Sequence, residues 1–308
     1  MPVVIQLKKA QRTAEDMFRR KIWGGKFYIS KYSFMNFFKL FASNIWPLIQ
    51  YLHEMPPHSV VLDYGCGIGN NSLWLIYGLD YTVVGIDLSE YAVRTARQNI
   101  SKNKYLAGSK FLINFALADG LSLPFRDNSF DGVFSMDVFG HLPSLNKAFS
   151  ETSKVLRTGG IGSFCTESAG TTKFRRRVTE LLGYNPWDTL DGHISLHTFE
   201  ELKGMMEREN LLVEDRKYEP RFLDLLISTT WSGGGGDGWL EDFIPQLRSH
   251  FKLRRFMGKS LESLYSIPIL NVLAHSIRLV LYRTFLKISD LDTGEIYVKV
   301  KKGEQMEK

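Results

Sequence analysis

The stretch Val61-Leu62-Asp63-Tyr64-Gly65-Cys66-Gly67-Ile68-Gly69-Asn70 constrains this chain most. A short apolar run ends in an acid, and three alternating glycines follow before a stretch of helical character. Such a run reads as a buried parallel strand, and the glycines as a tight turn that lets backbone approach a ligand closely. A dinucleotide fingerprint needs glycine at 65, 67 and 70, but Asn70 occupies the last of these. Asp63 also argues against a pyrophosphate, because a carboxylate repels phosphate. It suits a cationic group: a ligand with an ammonium, a sulfonium and a ribose but no phosphate.

The chain around this turn alternates strand and helix. Strands are expected at Ser59–Asp63, Thr82–Asp87, Lys110–Leu117, Phe130–Met136 and Ile161–Thr166. Ser89 is placed to cap a helix running to about Asn99, and Ser144–Leu156 reads as a helix stopped by Gly159-Gly160. Thr198 caps a helix Phe199–Glu209, Leu211–Tyr218 reads as a strand, and Glu295–Lys301 alternates like another. This alternation argues for an α/β fold, a parallel sheet with helices on both faces and right-handed crossovers.

The flanks differ. Phe34, Phe37, Phe38 and Phe41 recur at helical spacing within residues 27–52, as a packing face would. Four consecutive glycines at 233–236 lack the helix and lysine of a phosphate loop. The boundaries expected are an N-terminal helical cap (1–57), a core (58–219), a helical insertion (220–288) and a final strand with its tail (289–308).

The 308 residues hold two cysteines, too few for a disulfide framework, which points to a reducing, cytoplasmic setting. No signal-type apolar segment opens the sequence, and no uncharged apolar run is long enough to span a bilayer. The net charge of +6 belongs to the N-terminal segment: residues 1–57 carry 9 Lys+Arg against 3 Asp+Glu, residues 58–167 carry 9 against 10, and residues 168–308 carry 21 against 20. That excess suits an acidic substrate, an anionic membrane or nucleic acid, or is a solvated face. Arg175-Arg176-Arg177 leaves the same alternatives, and no nucleic-acid-binding motif accompanies it.

VLDYGCGIG, with an acid ending the next strand, an Asp-Gly further on and FDGVFSM after that, resembles the class I S-adenosylmethionine-dependent methyltransferases, in particular the ubiquinone/menaquinone-biosynthesis type that acts on small molecules and lipid quinones. The resemblance implies a Rossmann-like doubly wound seven-stranded sheet, its last strand antiparallel, under a helical cap. It implies S-adenosyl-L-methionine as cofactor and no metal. Asp63, Gly65, Cys66, Gly67 and Gly69 would form the turn around the methionine end. Asp87 would accept from both ribose hydroxyls, Leu88 would pack on the adenine, and Asp119 with Gly120 would face the adenine amino group. Ser135 lies in the strand that ends beside the methyl group. For Asp87, capping its own helix is the structural alternative; for Asp119, a plain Asp-Gly turn.

A hydroxyl or acidic-carbon acceptor needs a base, for which histidine is the first choice. His141, in Phe139-Gly140-His141-Leu142-Pro143, and His193, in Asp191-Gly192-His193-Ile194, resemble histidines that relatives place at the methyl-transfer pocket, and His197 lies near; each could equally make a structural hydrogen bond. The apolar segment from Ser266 to Leu286 is interrupted by His275, Arg278 and Arg283. It reads as an interfacial helix or a cover for the sheet edge. The function expected is O- or C-methylation of a small or lipid-like acceptor, with peripheral membrane contact. The alternatives are methylation of nucleic acid or protein, or a scaffold that binds the cofactor without turnover. The oligomeric state has no signature in the sequence.

Overall fold

In the computed structural model, residues 11–12, 15–16, 18–19, 45–103, 113–167, 194–195, 197–218 and 295–304 are described. The strands are β1 Val60–Tyr64, β2 Thr82–Asp87, β3 Ile113–Leu117, β4 Phe130–Met136, β5 Leu156–Glu167, β6 Leu211–Tyr218 and β7 Glu295–Lys302. They form one sheet in the order β3-β2-β1-β4-β5-β7-β6. β1 pairs in parallel with β2 and with β4, and only β7 runs antiparallel, between β5 and β6. This is the expected seven-stranded, doubly wound α/β sheet with its last strand antiparallel.

The helices are α1 Trp46–Leu52, α2 Asn70–Leu79, α3 Glu90–Ser101, α4 Leu145–Val155 and α5 Phe199–Arg208, with a 3-10 turn at Phe139–His141. Two apolar layers sandwich the sheet. On one face Phe139, Phe149 and Phe164 pack with Leu202 and Met206 of α5; on the other Leu48 and Leu52 of α1 pack with Leu75 and Ile76 of α2. Both faces being covered, the central strands are near-continuous apolar runs, which is why the sequence located them.

Caps fix the helix starts. Ser89 accepts the N–H of Ala92 and Ser144 that of Lys147, while Thr198 and Glu201 form a capping box. One expectation fails at Gly159-Gly160. The helix ends at Val155 without them, and the glycines lie inside β5. Between Phe130 and Gly132 of β4, the β5 partner jumps from Leu156 to Ile161, and Gly159 takes φ +76° in this irregularity. The glycines therefore serve a bulge rather than a helix stop. Arg157 pairs there with Asp131, whose other oxygen accepts the N–H of Val60 at 2.8 Å.

β7 carries a buried lysine into this packing. Lys299 bonds Glu54 at 2.7 Å and meets Glu214 of β6 at 3.0 Å. The expected helical insertion (220–288), residues 27–44 of the aromatic segment and the Arg175–Arg177 cluster lie outside the described residues. Among the described residues no helix is long and apolar enough to cross a membrane.

Candidate functional site

The strand order reverses between β1 and β4, and ligands in such sheets bind beyond the carboxyl ends of the strands at that switch point. The glycine turn sits there. Gly65, Gly67 and Gly69 adopt φ of +79°, +52° and +87°, and Gly69 becomes the residue before α2. A side chain at Gly65 would overlap the methyls of Val138, which follows β4. The turn is bound to β2: the N–H groups of Gly65 and Cys66 donate to the carbonyl of Ile86 at 2.9 and 2.8 Å.

Two carboxylates meet in this turn. Asp63, 1% exposed, accepts the hydroxyl of Ser72 from α2. Asp87 accepts the N–H of Gly67 at 2.9 Å and that of Ser89 at 2.9 Å. Burial pushes Asp63 up to about 7, against the Ser72 bond, and the charge of Asp87 adds to it. Burial likewise raises Asp87 to about 6, opposed by its bonds to Ser89 and Gly67. Two enclosed acids whose charges resist each other call for a cation. A carboxylate has about four lone-pair directions, so Asp87 can hold its two backbone donors and still accept hydroxyls. Among the described residues no cluster suits a metal ion. The donor set therefore fits S-adenosylmethionine and disfavours a phosphate-bearing nucleotide.

The remaining expected residues fall into three groups. Leu88, half-buried, Asp119 and Gly120 line the same end of the sheet, since Asp87 pairs with Leu117 at the end of β3. Asp119 accepts the N–H of Leu121 at 2.8 Å, so it also caps its own turn. Gly120 lies over the hydroxyl of Tyr64, where a Cβ could not fit. That buried hydroxyl makes no hydrogen bond, and nothing in the sequence singled it out.

Cys66 and Ser135 are turned inward. The Cys66 side chain packs with Val93, Ala96 and Phe115, and burial raises its thiol pKa further. Ser135, fully buried, donates to the carbonyl of Tyr64 at 3.1 Å, so its hydroxyl ties β4 to β1 rather than reaching a ligand. Their positions in the turn and in β4 were legible, but the direction each side chain points was not.

His141 ends the 3-10 turn after β4, half-buried; His193 lies outside the described residues. Ile194, next in sequence to His193, donates its N–H to the carbonyl of Gly140 at 2.8 Å, and Ser195 donates to the same carbonyl at 3.0 Å. The segment before α5 is thus pinned beside His141. Asp137 was missed: it directly follows β4 with φ +55°, a conformation that is costly for a non-glycine residue and is often held at functional sites.

An N-terminal segment covers the turn. Phe18 packs on Ile68 and Ala92, and its ring lies 3.3 Å from where a side chain on Gly67 would begin. Glu15 accepts the N–H of Tyr91 at 3.2 Å, and Gln11 donates to the carbonyl of Leu88 at 3.5 Å.

This sheet order, with a glycine turn and paired acids at its switch point, resembles the core of class I S-adenosylmethionine-dependent methyltransferases. Residues 62–164 match the family model described as a methyltransferase domain. Methyltransferase GfsG of Streptomyces halstedii is 34% identical over 100 residues, 32% of this chain and 34% of that one. The 24-methylenesterol C-methyltransferase 2 of Arabidopsis thaliana is 32% identical over 145 residues, 46% of this chain and 39% of that one. The chain thus spans little more than a third of the length of these relatives. Among solved structures, geranyl diphosphate C-methyltransferase from Streptomyces coelicolor A3(2) is similar with a TM-score of 0.57 and 12% identity, covering 98% of this chain and 100% of that one. Haemonchus contortus phosphoethanolamine N-methyltransferase 2, solved with S-adenosyl-L-methionine, gives 0.58 and 19%, covering 99% and 60%. At these identities the structures speak for the fold.

Proposed function

We propose that the chain transfers a methyl group from S-adenosylmethionine to a hydroxyl or acidic carbon of a small or lipid-like acceptor. The observation that carries this is the pair Asp63 and Asp87, two enclosed carboxylates with raised pKa values around a glycine turn. When bound, the cofactor supplies a methyl on a sulfonium, which leaves as a neutral thioether and needs no acid. The chain's own residues then bind and orient. Asp87 accepts from the ribose hydroxyls, Asp63 offsets positive charge, and Leu88, Asp119 and Gly120 hold the adenine end. Alignment of this kind is worth up to about 7–11 kcal/mol. His141 and His193 are the side chains proposed to take a proton from the acceptor.

The acceptor class is supported by the relatives: one is named for a methylenesterol and a similar structure for geranyl diphosphate. On this reading the chain works in the cytoplasm and meets an apolar acceptor at a membrane surface, with the +6 excess of residues 1–57 facing anionic lipid. Co-sedimentation with anionic against neutral vesicles tests that part, and equal binding to both rejects it.

Calorimetry with S-adenosylmethionine and its demethylated product tests the core of the proposal. Micromolar binding that Asp87→Ala abolishes is expected; equal binding by both proteins overturns the ribose assignment. Incubation of the protein with a lipid extract and cofactor carrying a radiolabelled methyl should then label the lipid fraction. Binding without label transfer would point to a scaffold.

A further inference from the structure

Where the chain enters α5, three side chains stand in line. Ser195 Oγ lies 3.1 Å from Nε2 of His197, and Nδ1 of His197 lies 3.8 Å from Oε2 of Glu201. Glu201 is held by its capping box, accepting the N–H of Thr198 at 2.8 Å and the Thr198 hydroxyl at 3.0 Å. These bonds to Thr198 keep its carboxyl below the usual range, hence ionised. Ser195 is itself fixed by its N–H to the carbonyl of Gly140. Gly140 immediately precedes His141, and Val138, two residues earlier, packs against Gly65. Hydroxyl, imidazole and carboxylate therefore stand on a segment whose backbone is pinned to the 3-10 turn that follows β4.

We propose that Ser195, His197 and Glu201 form a proton relay for the methyl acceptor, an assignment that rests on the methyltransferase reading above. The acceptor's proton passes to Ser195 Oγ while Ser195's own proton passes to Nε2 of His197. The electron pair left on the acceptor forms the bond to the methyl carbon, and the pair of the broken carbon–sulfur bond stays on sulfur. The imidazolium formed faces the Glu201 carboxylate and later returns its proton to water. In this relay Ser195, rather than His141 or His193, is the catalytic residue; His197 and Glu201 are positioning residues that act through it. The 3.8 Å separation is longer than a hydrogen bond, and catalytic contacts without substrate are commonly long.

The relay requires the His197 proton on Nδ1, toward Glu201, with Nε2 bare to accept from Ser195. Nitrogen-15 spectra of the full chain, labelled at its seven histidines and assigned with His197→Gln, read this directly. A proton on Nε2 overturns the proposal whether or not an acceptor turns over. In the lipid-extract assay, Ser195→Ala and His197→Ala should each lower kcat on the order of 10²-fold. Ser195→Thr should keep most activity, added imidazole should restore His197→Ala, and cofactor binding by calorimetry should be unchanged in all. Losses below 3-fold, or no imidazole rescue, reject the relay. Failure of the wild-type chain to bind cofactor rejects the methyltransferase reading instead.

Discussion

The carboxylate of Asp87 accepts the N–H of Gly67 at 2.9 Å, so the acid that ends β2 is tied directly to the turn that follows β1. One oxygen thereby shapes the turn, and the other accepts the N–H of Ser89. Asp87→Asn should hold the turn better than Asp87→Ala, because its amide oxygen still accepts. Both should weaken cofactor binding, by on the order of 10²-fold for the alanine, since bonds to charged groups contribute about 1.5–3 kcal/mol. Titration calorimetry reads the order; equal losses would mean that the Gly67 bond does not matter.

Asp63 should make the cofactor-free protein sensitive to pH in an unusual direction. Its folded pKa, about 7, exceeds the ordinary carboxylate value, so the folded state holds the proton more tightly than the unfolded one. Its contribution is full below about pH 4 and is lost as pH rises through about 7. Tm without cofactor should fall between pH 5 and 8, and Asp63→Asn should flatten the fall. At pH 8 the variant should be more stable by about 1–3 kcal/mol while binding cofactor less well. A fall of the same size in the variant would reject the assignment.

Gly65 and Gly159 separate backbone strain from steric overlap. Both adopt left-handed φ, +79° and +76°, but a Cβ on Gly65 would overlap Val138 whereas one on Gly159 meets nothing within 4 Å. Gly159→Ala should cost only the left-handed penalty, about 1–2 kcal/mol. Gly65→Ala should cost more and should also weaken cofactor binding. Chemical denaturation of the two variants decides it, and equal losses would contradict the packing of Val138 on the turn.

Phe139 opens the 3-10 turn and is fully buried, with ring centres of Tyr64, Phe149 and Phe164 at 5.6, 5.0 and 5.2 Å. Phe139→Ala should destabilise the chain by about 3–5 kcal/mol. Because the turn carries Gly140 and His141, methyl transfer should fall even below the unfolding temperature. A loss under 1 kcal/mol in denaturation would show that the site collapses around the void.

Much of the core was legible because it obeys simple rules. The bounds of β2, β4 and β6 agree with those expected, β2 and β4 because buried strands leave mostly apolar runs, and Ser89, Ser144 and Thr198 stand at the starts of their helices. The glycine turn and the acid closing β2 were legible as a pair because spacing alone brings them to one end of the sheet. What failed depended on three dimensions. Gly159-Gly160 looks like a helix stop until β4 pairing demands a bulge, and Ser135 looks available until the carbonyl of Tyr64 takes its hydroxyl. The line Ser195–His197–Glu201 is hidden in sequence by the capping pattern it shares with Thr198.

The insertion of β7 between β5 and β6 has a consequence for how the chain is made. β6 ends at Tyr218 and β7 begins at Glu295, so residues 219–294 must be synthesised before β6 has a neighbour in the sheet. Until then the nascent chain carries an orphan ribbon, and the pairing edge of β5 stays open for the same interval. Ribosome-bound intermediates of this chain should be most adhesive in that window, when a chaperone would find its clearest target.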